Sequence, residues 1–284
     1  MSAAAQEGSA PPKSGGFGDL GPRVASAIVL VAMATGTAFY GGVVFAAFWL
    51  LVACAVLWEW QSLIGGERRL ARVVLGCFAL AAAAVLIHGP TLPLGLLAIG
   101  LSSAAVGLLA GPDRGFWAAS GVLYAAALVL SVDLLRLSEP QGAAAIAWAF
   151  AIVWGADVFA YFGGRLIGGP KLWPRVSAGK TWSGALVGAV SGAALGALFA
   201  SLFAGASAAP MFFVSLVAVI LSQLGDLFES AVKRRFHVKD SSRLIPGHGG
   251  VMDRVDGFIF AVVFAAALGV LRDPSSAASG LFSW

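Results

Sequence analysis

The chain has 284 residues, 59% of them hydrophobic and only 11% charged, with a mean hydropathy of +0.89. Soluble domains carry roughly a quarter of their residues as Asp, Glu, Lys or Arg, so 14 acids and 18 bases leave too little polar surface for a water-exposed body. Intrinsic disorder and nucleic-acid binding fit this composition poorly, and Cys54 and Cys77, both inside apolar runs, predict neither a disulfide framework nor a zinc site.

Residues 1–22 are small, polar and rich in Gly, Pro and Ser, which predicts a disordered cytoplasmic tail rather than a cleaved signal peptide. Residues 23–284 read as one membrane-embedded catalytic domain. A spanning helix needs about 20 predominantly apolar residues. Breaking the chain at its charged and Gly/Pro positions predicts an all-α, polytopic bundle of nine spans, at 24–40, 43–64, 73–88, 91–110, 117–135, 143–163, 185–204, 211–229 and 257–271. With the N-terminus cytoplasmic, that count puts 16 of the 18 bases in cytoplasmic segments and leaves only Arg136 and Arg272 outside, the segregation expected of short loops.

Several side chains along the spans carry their own expectations. Glu59-Trp60 closes the second span, with Trp60 as a headgroup anchor and Glu59 pairing Arg68 or Arg69. Asp133 and Arg136, three apart, read as an interfacial ion pair. His88 reads as interfacial, and His237 as a solvated loop residue. Asp157 and Tyr161 lie one turn apart on one face, and an acid within a span is a functional candidate, with a packing role as the alternative. Gly184, Gly188, Gly192 and Gly196, continued by Ala200 and Ala204, leave one helix face as bare backbone. Close packing ranks above a pore-lining role for it; whether it serves a homodimer stays open.

Charge concentrates in one place. Eleven of the 32 charged residues fall between Asp226 and Asp256, with Asp226, Glu229, Ser230 and Lys233 on one helical face and Asp253 and Asp256 three apart on another. A basic loop with the turn Pro246-Gly247-His248-Gly249-Gly250 joins them. Carboxylates suit a hard divalent cation, Lys and Arg neutralise phosphate oxygens, and glycines admit a ligand to backbone amides. A set of structural salt bridges would explain the charges but not the His-Gly-Gly run.

The run from Ser230 to Asp256 resembles, without a gap, the signature of the phosphatidate cytidylyltransferases: Ser230, then Lys233-Arg234, Lys239-Asp240, His248-Gly249-Gly250 and Asp253-Arg254-Val255-Asp256. A second segment, Asp157–Arg165 followed by Ser177-Ala-Gly-Lys-Thr-Trp-Ser-Gly184, is similar more weakly; Ala178 and Ser183 replace a proline and an acid of the family pattern, while Lys180 and Thr181 are retained. The resemblance implies transfer of a cytidylyl group from CTP to phosphatidic acid with magnesium, and leaves a second cation open. It implies catalytic roles for Asp226, Lys239, Asp240 and Asp253. Metal ligation is expected of Asp226, Asp253 and Asp256. Substrate binding falls to Lys180, Thr181, Ser230, Lys233, Arg234, His248, Gly249, Gly250 and Arg254. It further implies an integral protein of the bacterial inner membrane, with its site on the cytoplasmic face and its lipid substrate in the bilayer. The alternatives are a CTP-dependent enzyme acting on another lipid phosphate or a polyprenyl alcohol, and an ion-coupled transporter using Asp157, Asp226 and Glu229.

Overall fold

The computed structural model describes residues 20–87, 89–245 and 248–284; residues 1–19 of the expected tail, His88 and Pro246-Gly247 lie outside the described residues. Among the described residues nine long helices follow one another: α1 (Leu20–Tyr40), α2 (Gly42–Ile64), α3 (Arg69–Leu86), α4 (Leu92–Ala110), α5 (Gly115–Arg136), α6 (Gly142–Leu166), α7 (Trp182–Phe203), α8 (Ala208–Arg235) and α9 (Met252–Arg272). Each expected span falls on one of them. By length and composition α2 to α9 suffice to cross a membrane, and α1 contributes the shorter apolar stretch Val24–Tyr40. The α1–α2 corner is a single residue, Gly41, where φ values of 74° and 55° at Gly41 and Gly42 turn the chain in a conformation other residues rarely adopt.

Contacts between helix ends test the nine-span alternation without reference to charge. At one end of the bundle, Glu59 near the end of α2 reaches the α8–α9 connection. Ser26 in α1 meets His248 there, and Lys180 ahead of α7 pairs with Asp226 of α8. At the other end, Arg136 of α5 donates to the Ala38 carbonyl of α1 (2.7 Å), and Gln141 ahead of α6 to that of Ala204 after α7. Both sets agree with strict alternation.

The core is built by α5, the most buried of the long apolar helices, and by a stack of Trp49, Phe150 and Phe258 from α2, α6 and α9 with ring centroids 5.1–6.2 Å apart. The glycine face of α7 packs inside the chain. A Cβ at Gly184 would lie 2.7 Å from the Ala160 carbonyl oxygen of α6, and one at Gly188 2.8 Å from that of Ala156, so this face is already covered and is not free for a second copy.

Two elements lie outside the sequence expectations. A small antiparallel hairpin, β1 (Lys171–Trp173) with β2 (Ser177–Thr181), pairs Lys171 with Thr181 and Trp173 with Ser177 between α6 and α7. A short buried helix, α10 (Ala277–Phe282), folds back onto α9, where Gly269 and Gly280 allow backbone contact. At the far end the expected Asp133–Arg136 pair does not form. Arg136 binds Glu139 at 2.7 Å instead, while Asp133 is buried with Oδ2 unpartnered among the described residues.

Candidate active site

The charged stretch folds into two parts with different surroundings. The first is a closed latch. Glu59 is fully buried, and its carboxylate accepts from the hydroxyls of Ser241 (3.0 Å) and Ser242 (2.6 Å) and from the backbone amides of Val251 (2.8 Å) and Met252 (2.6 Å). It therefore holds the loop after α8 and also takes up the unsatisfied amides at the start of α9, where negative charge is favoured. Asp253 accepts from Lys233 Nζ (2.6 Å), from the Ser241 amide (3.1 Å) and from the Gly250 amide (2.8 Å), and shares the one Ser241 hydroxyl proton (3.0 Å) with Glu59. Lys233 also pairs with buried Glu229 at 2.6 Å, so one ammonium ties α8 to α9. The glycines of the turn serve this latch. A Cβ at Gly250 would lie 2.7 and 2.8 Å from the two Glu59 carboxylate oxygens, and one at Gly249 2.9 Å from Asp253 Oδ2.

The second part is an open polar cavity of about 370 Å³, lined by Asp157 of α6, Asp226 and Lys233 of α8, Asp240, and Asp253, Arg254 and Asp256 of α9. Asp226 forms an ion pair with Lys180, and Ser230 leans on it at 3.4 Å. Among the described residues Asp256 accepts only the amide of its own neighbour Gly257, at 2.8 Å. Asp157 has no hydrogen-bond or ion-pair partner among the described residues. Two neighbouring cavities share walls with this one. On one side Asp157 also lines a cleft of about 490 Å³ under the hairpin, with Tyr161, Arg165, Lys171 and Lys180. On the other side Trp154 and Arg254 also line an apolar groove.

Set against the sequence expectations, the structure brings Asp226, Lys233, Asp240, Asp253, Arg254 and Asp256 to one cavity, and adds Asp157. The expected metal trio is only partly assembled. Among the described residues no group of three or more His, Cys, Asp or Glu is poised to hold an ion together, and Asp253 is already engaged by four donors. The donor chemistry still fits magnesium, which commonly takes one or two carboxylates and completes its shell with water and phosphate oxygens. Asp226 and Asp256 offer those carboxylates.

Other assignments change. Thr181 lines the cleft under the hairpin beside Lys180 and is also the N-cap of α7, its Oγ1 accepting from the Gly184 amide at 3.2 Å. Arg234 turns back to donate to the Val238 carbonyl (3.0 Å), and exposed Lys239 lines none of the three cavities. The Gly250 amide, expected to face ligand, is taken by Asp253. His248 lines the apolar groove rather than the carboxylate cavity. Trp60, expected among the headgroups, is buried and donates to the Trp117 carbonyl (2.7 Å). Glu59 pairs with neither Arg68 nor Arg69. The one signal that pointed to its role was an acid inside an apolar run, since every partner it has lies more than 180 residues away.

The model of the cytidylyltransferase family matches residues 21–271 of this chain. A phosphatidate cytidylyltransferase of Brucella abortus is 40% identical over 267 residues, 93% of this chain and 98% of that protein. One from Pseudomonas aeruginosa is 39% identical over 259 residues, covering 87% and 96%. One from Haemophilus influenzae is 42% identical over 122 residues, covering 41% and 42%.

Proposed function

We propose that this chain, which belongs to the cytidylyltransferase family, transfers the cytidylyl group of CTP to phosphatidic acid, giving CDP-diacylglycerol and pyrophosphate. One observation carries the reading: carboxylates of α6, α8 and α9 line a single polar cavity together with Lys233 and Arg254, between a cleft rich in bases and a groove rich in aromatic rings.

Both substrates are anionic, so the task is to hold them in line and neutralise repulsion. A phosphate oxygen of the lipid attacks the α-phosphorus of CTP; a P–O bond forms there as the bond to the β-phosphate oxygen breaks, and pyrophosphate leaves with that electron pair. No enzyme nucleophile is required. Lys180, Lys171 and Arg165 on the hairpin side take the triphosphate, and Arg254 on the groove side takes the lipid phosphate. Lys233, held between Glu229 and Asp253, presents fixed positive charge to the cavity. Asp226 and Asp256 would hold magnesium, which supplies Lewis-acid neutralisation of the phosphate oxygens when bound. Asp240, exposed at the rim, is placed to orient a base.

We place the site on the cytoplasmic face of a bacterial inner membrane, because the bundle end that carries it also carries most of the bases. Residues 23–284 then act as one catalytic domain. The transporter alternative wants broken helices near the midplane, whereas α6, α8 and α9 are continuous and their acids gather at one end. Incubating the purified protein with CTP labelled in the cytidine, phosphatidate and magnesium tests the assignment. Label in a chloroform-soluble CDP-lipid is expected; label that stays wholly in water-soluble nucleotide would overturn it.

A further inference from the structure

The apolar groove beside the polar cavity has a direction. It encloses about 240 Å³ between α1, α2, α6 and α9, with His248 and Arg254 as its polar lining residues. From Val251, just ahead of α9, the lining runs along that helix through Val255 to Phe258, and along α1 it runs Ala27, Val31, Ala34, both with numbers rising away from the polar end. The neighbouring α2 and α6 run the other way, and their lining residues fall in number with depth, from Val52 to Trp49 and from Trp154 to Phe150. Every helix thus presents positions three or four apart, and together they form a slot parallel to the helix axes. From Ala27 to Ala34 it is about 10 Å long at 1.5 Å per residue.

The head of the slot carries one cation, Arg254. Arg254 spends Nε and Nη2 on the His248 carbonyl, at 3.1 and 2.6 Å, and has no carboxylate in ion-pair range among the described residues. Trp154 and Arg254 form a wall common to the slot and the carboxylate cavity. The His248 ring hydrogen-bonds Ser26 of α1 at 2.8 Å, closing the head against that helix. An occupant must therefore carry an anion at one end and a narrow hydrocarbon along the helices. At 240 Å³ the slot is below the usual range for a drug-sized ligand, which suits one chain and not two.

Resting on the reading of the function above, we infer that this slot holds one acyl chain of phosphatidate, with the lipid phosphate at Arg254 facing the carboxylate cavity, and that α1 is its outer wall. The second chain remains in the bilayer. The slot then selects substrates by hydrocarbon length, and α1 controls lipid entry without touching the nucleotide.

Filling the slot from α1 tests this. Ala34→Trp is compared with wild type on dioleoyl and dihexanoyl phosphatidate in mixed micelles, with KM for CTP measured alongside. The KM for dioleoyl phosphatidate is expected to rise about tenfold or more, the loss expected when two or more methylenes no longer fit. Turnover on dihexanoyl phosphatidate and KM for CTP should stay within about twofold. Should that variant not fold, Val31→Trp occupies the same slot from a position already 43% exposed. In the wild type, a phosphatidate with a photoreactive group midway along its chain should label peptides of α1 or α9. An unchanged dioleoyl KM, equal losses on both lipids, or labelling confined to other helices would overturn the inference. A wild type that turns over neither lipid would instead defeat the functional reading, and this proposal with it.

Discussion

Glu59, Glu229 and Asp253 on one side, and Asp157, Asp226 and Asp256 on the other, are carboxylates at the same end of one bundle with opposite surroundings. Glu59 and Asp253 are filled by serines, backbone amides and, for Asp253, a lysine, while buried Glu229 has that same lysine as its one ion-pair partner among the described residues. The second three line a cavity with oxygens to spare. Charge density alone does not distinguish them. Glu59 and Asp253 differ from Asp157 and Asp256 in how many protein donors reach their oxygens, and that is decided by loop path and helix ends rather than by residue type. In the proposed function the latch group would hold the site's shape and the open group would take phosphate and metal.

Lys233→Met should give the largest effect, because it strands Glu229 and Asp253 without their shared cation. Removing one partner of a buried pair costs about 3–5 kcal/mol, so a marked fall in the unfolding temperature in detergent is expected; an unchanged melt would show that the latch carries no strain. Asp256→Asn should behave oppositely. Turnover is expected to drop about 10²- to 10³-fold, the scale of losing one preorganised electrostatic group, with the melting curve unmoved. Next comes Glu59→Gln, which keeps the volume but loses charge-assisted acceptance from four donors. A loss of about 1.5–3 kcal/mol is expected, read as a lowered melt together with reduced turnover and an intact KM for CTP. The smallest changes belong to Arg234→Ala and Lys239→Ala, exposed residues outside the cavities, expected within about 0.5 kcal/mol of wild type; a hundredfold loss in either would restore the role their place in the signature suggested.

The spans were legible because a helix crossing a bilayer must be apolar for about 20 residues, and the common face of the site was legible because bases segregate with topology. The meeting of Asp226, Asp253 and Asp256 at one cavity followed from their places at two adjoining helix ends. What the sequence could not convey was which donors arrive from elsewhere. Glu59 caps α9 only because α2 ends beside it, and Thr181 caps α7 as well as lining the cleft beside Lys180. The hairpin escaped notice because strands of three and five residues, separated by Pro174-Arg175-Val176, show no sustained alternation. Asp157 was seen as an acid on a functional face, but its membership of the cavity depended on how α6 lies against α8 and α9.

The most direct test of the account is pyrophosphate release by the detergent-purified protein given CTP, phosphatidate and magnesium, measured for wild type and Asp256→Asn and repeated with each component left out. The account predicts release by wild type that needs both the lipid and the divalent ion, and that the substitution all but removes while the protein still melts as wild type does. Release that persists in Asp256→Asn, or that proceeds without phosphatidate, would contradict it.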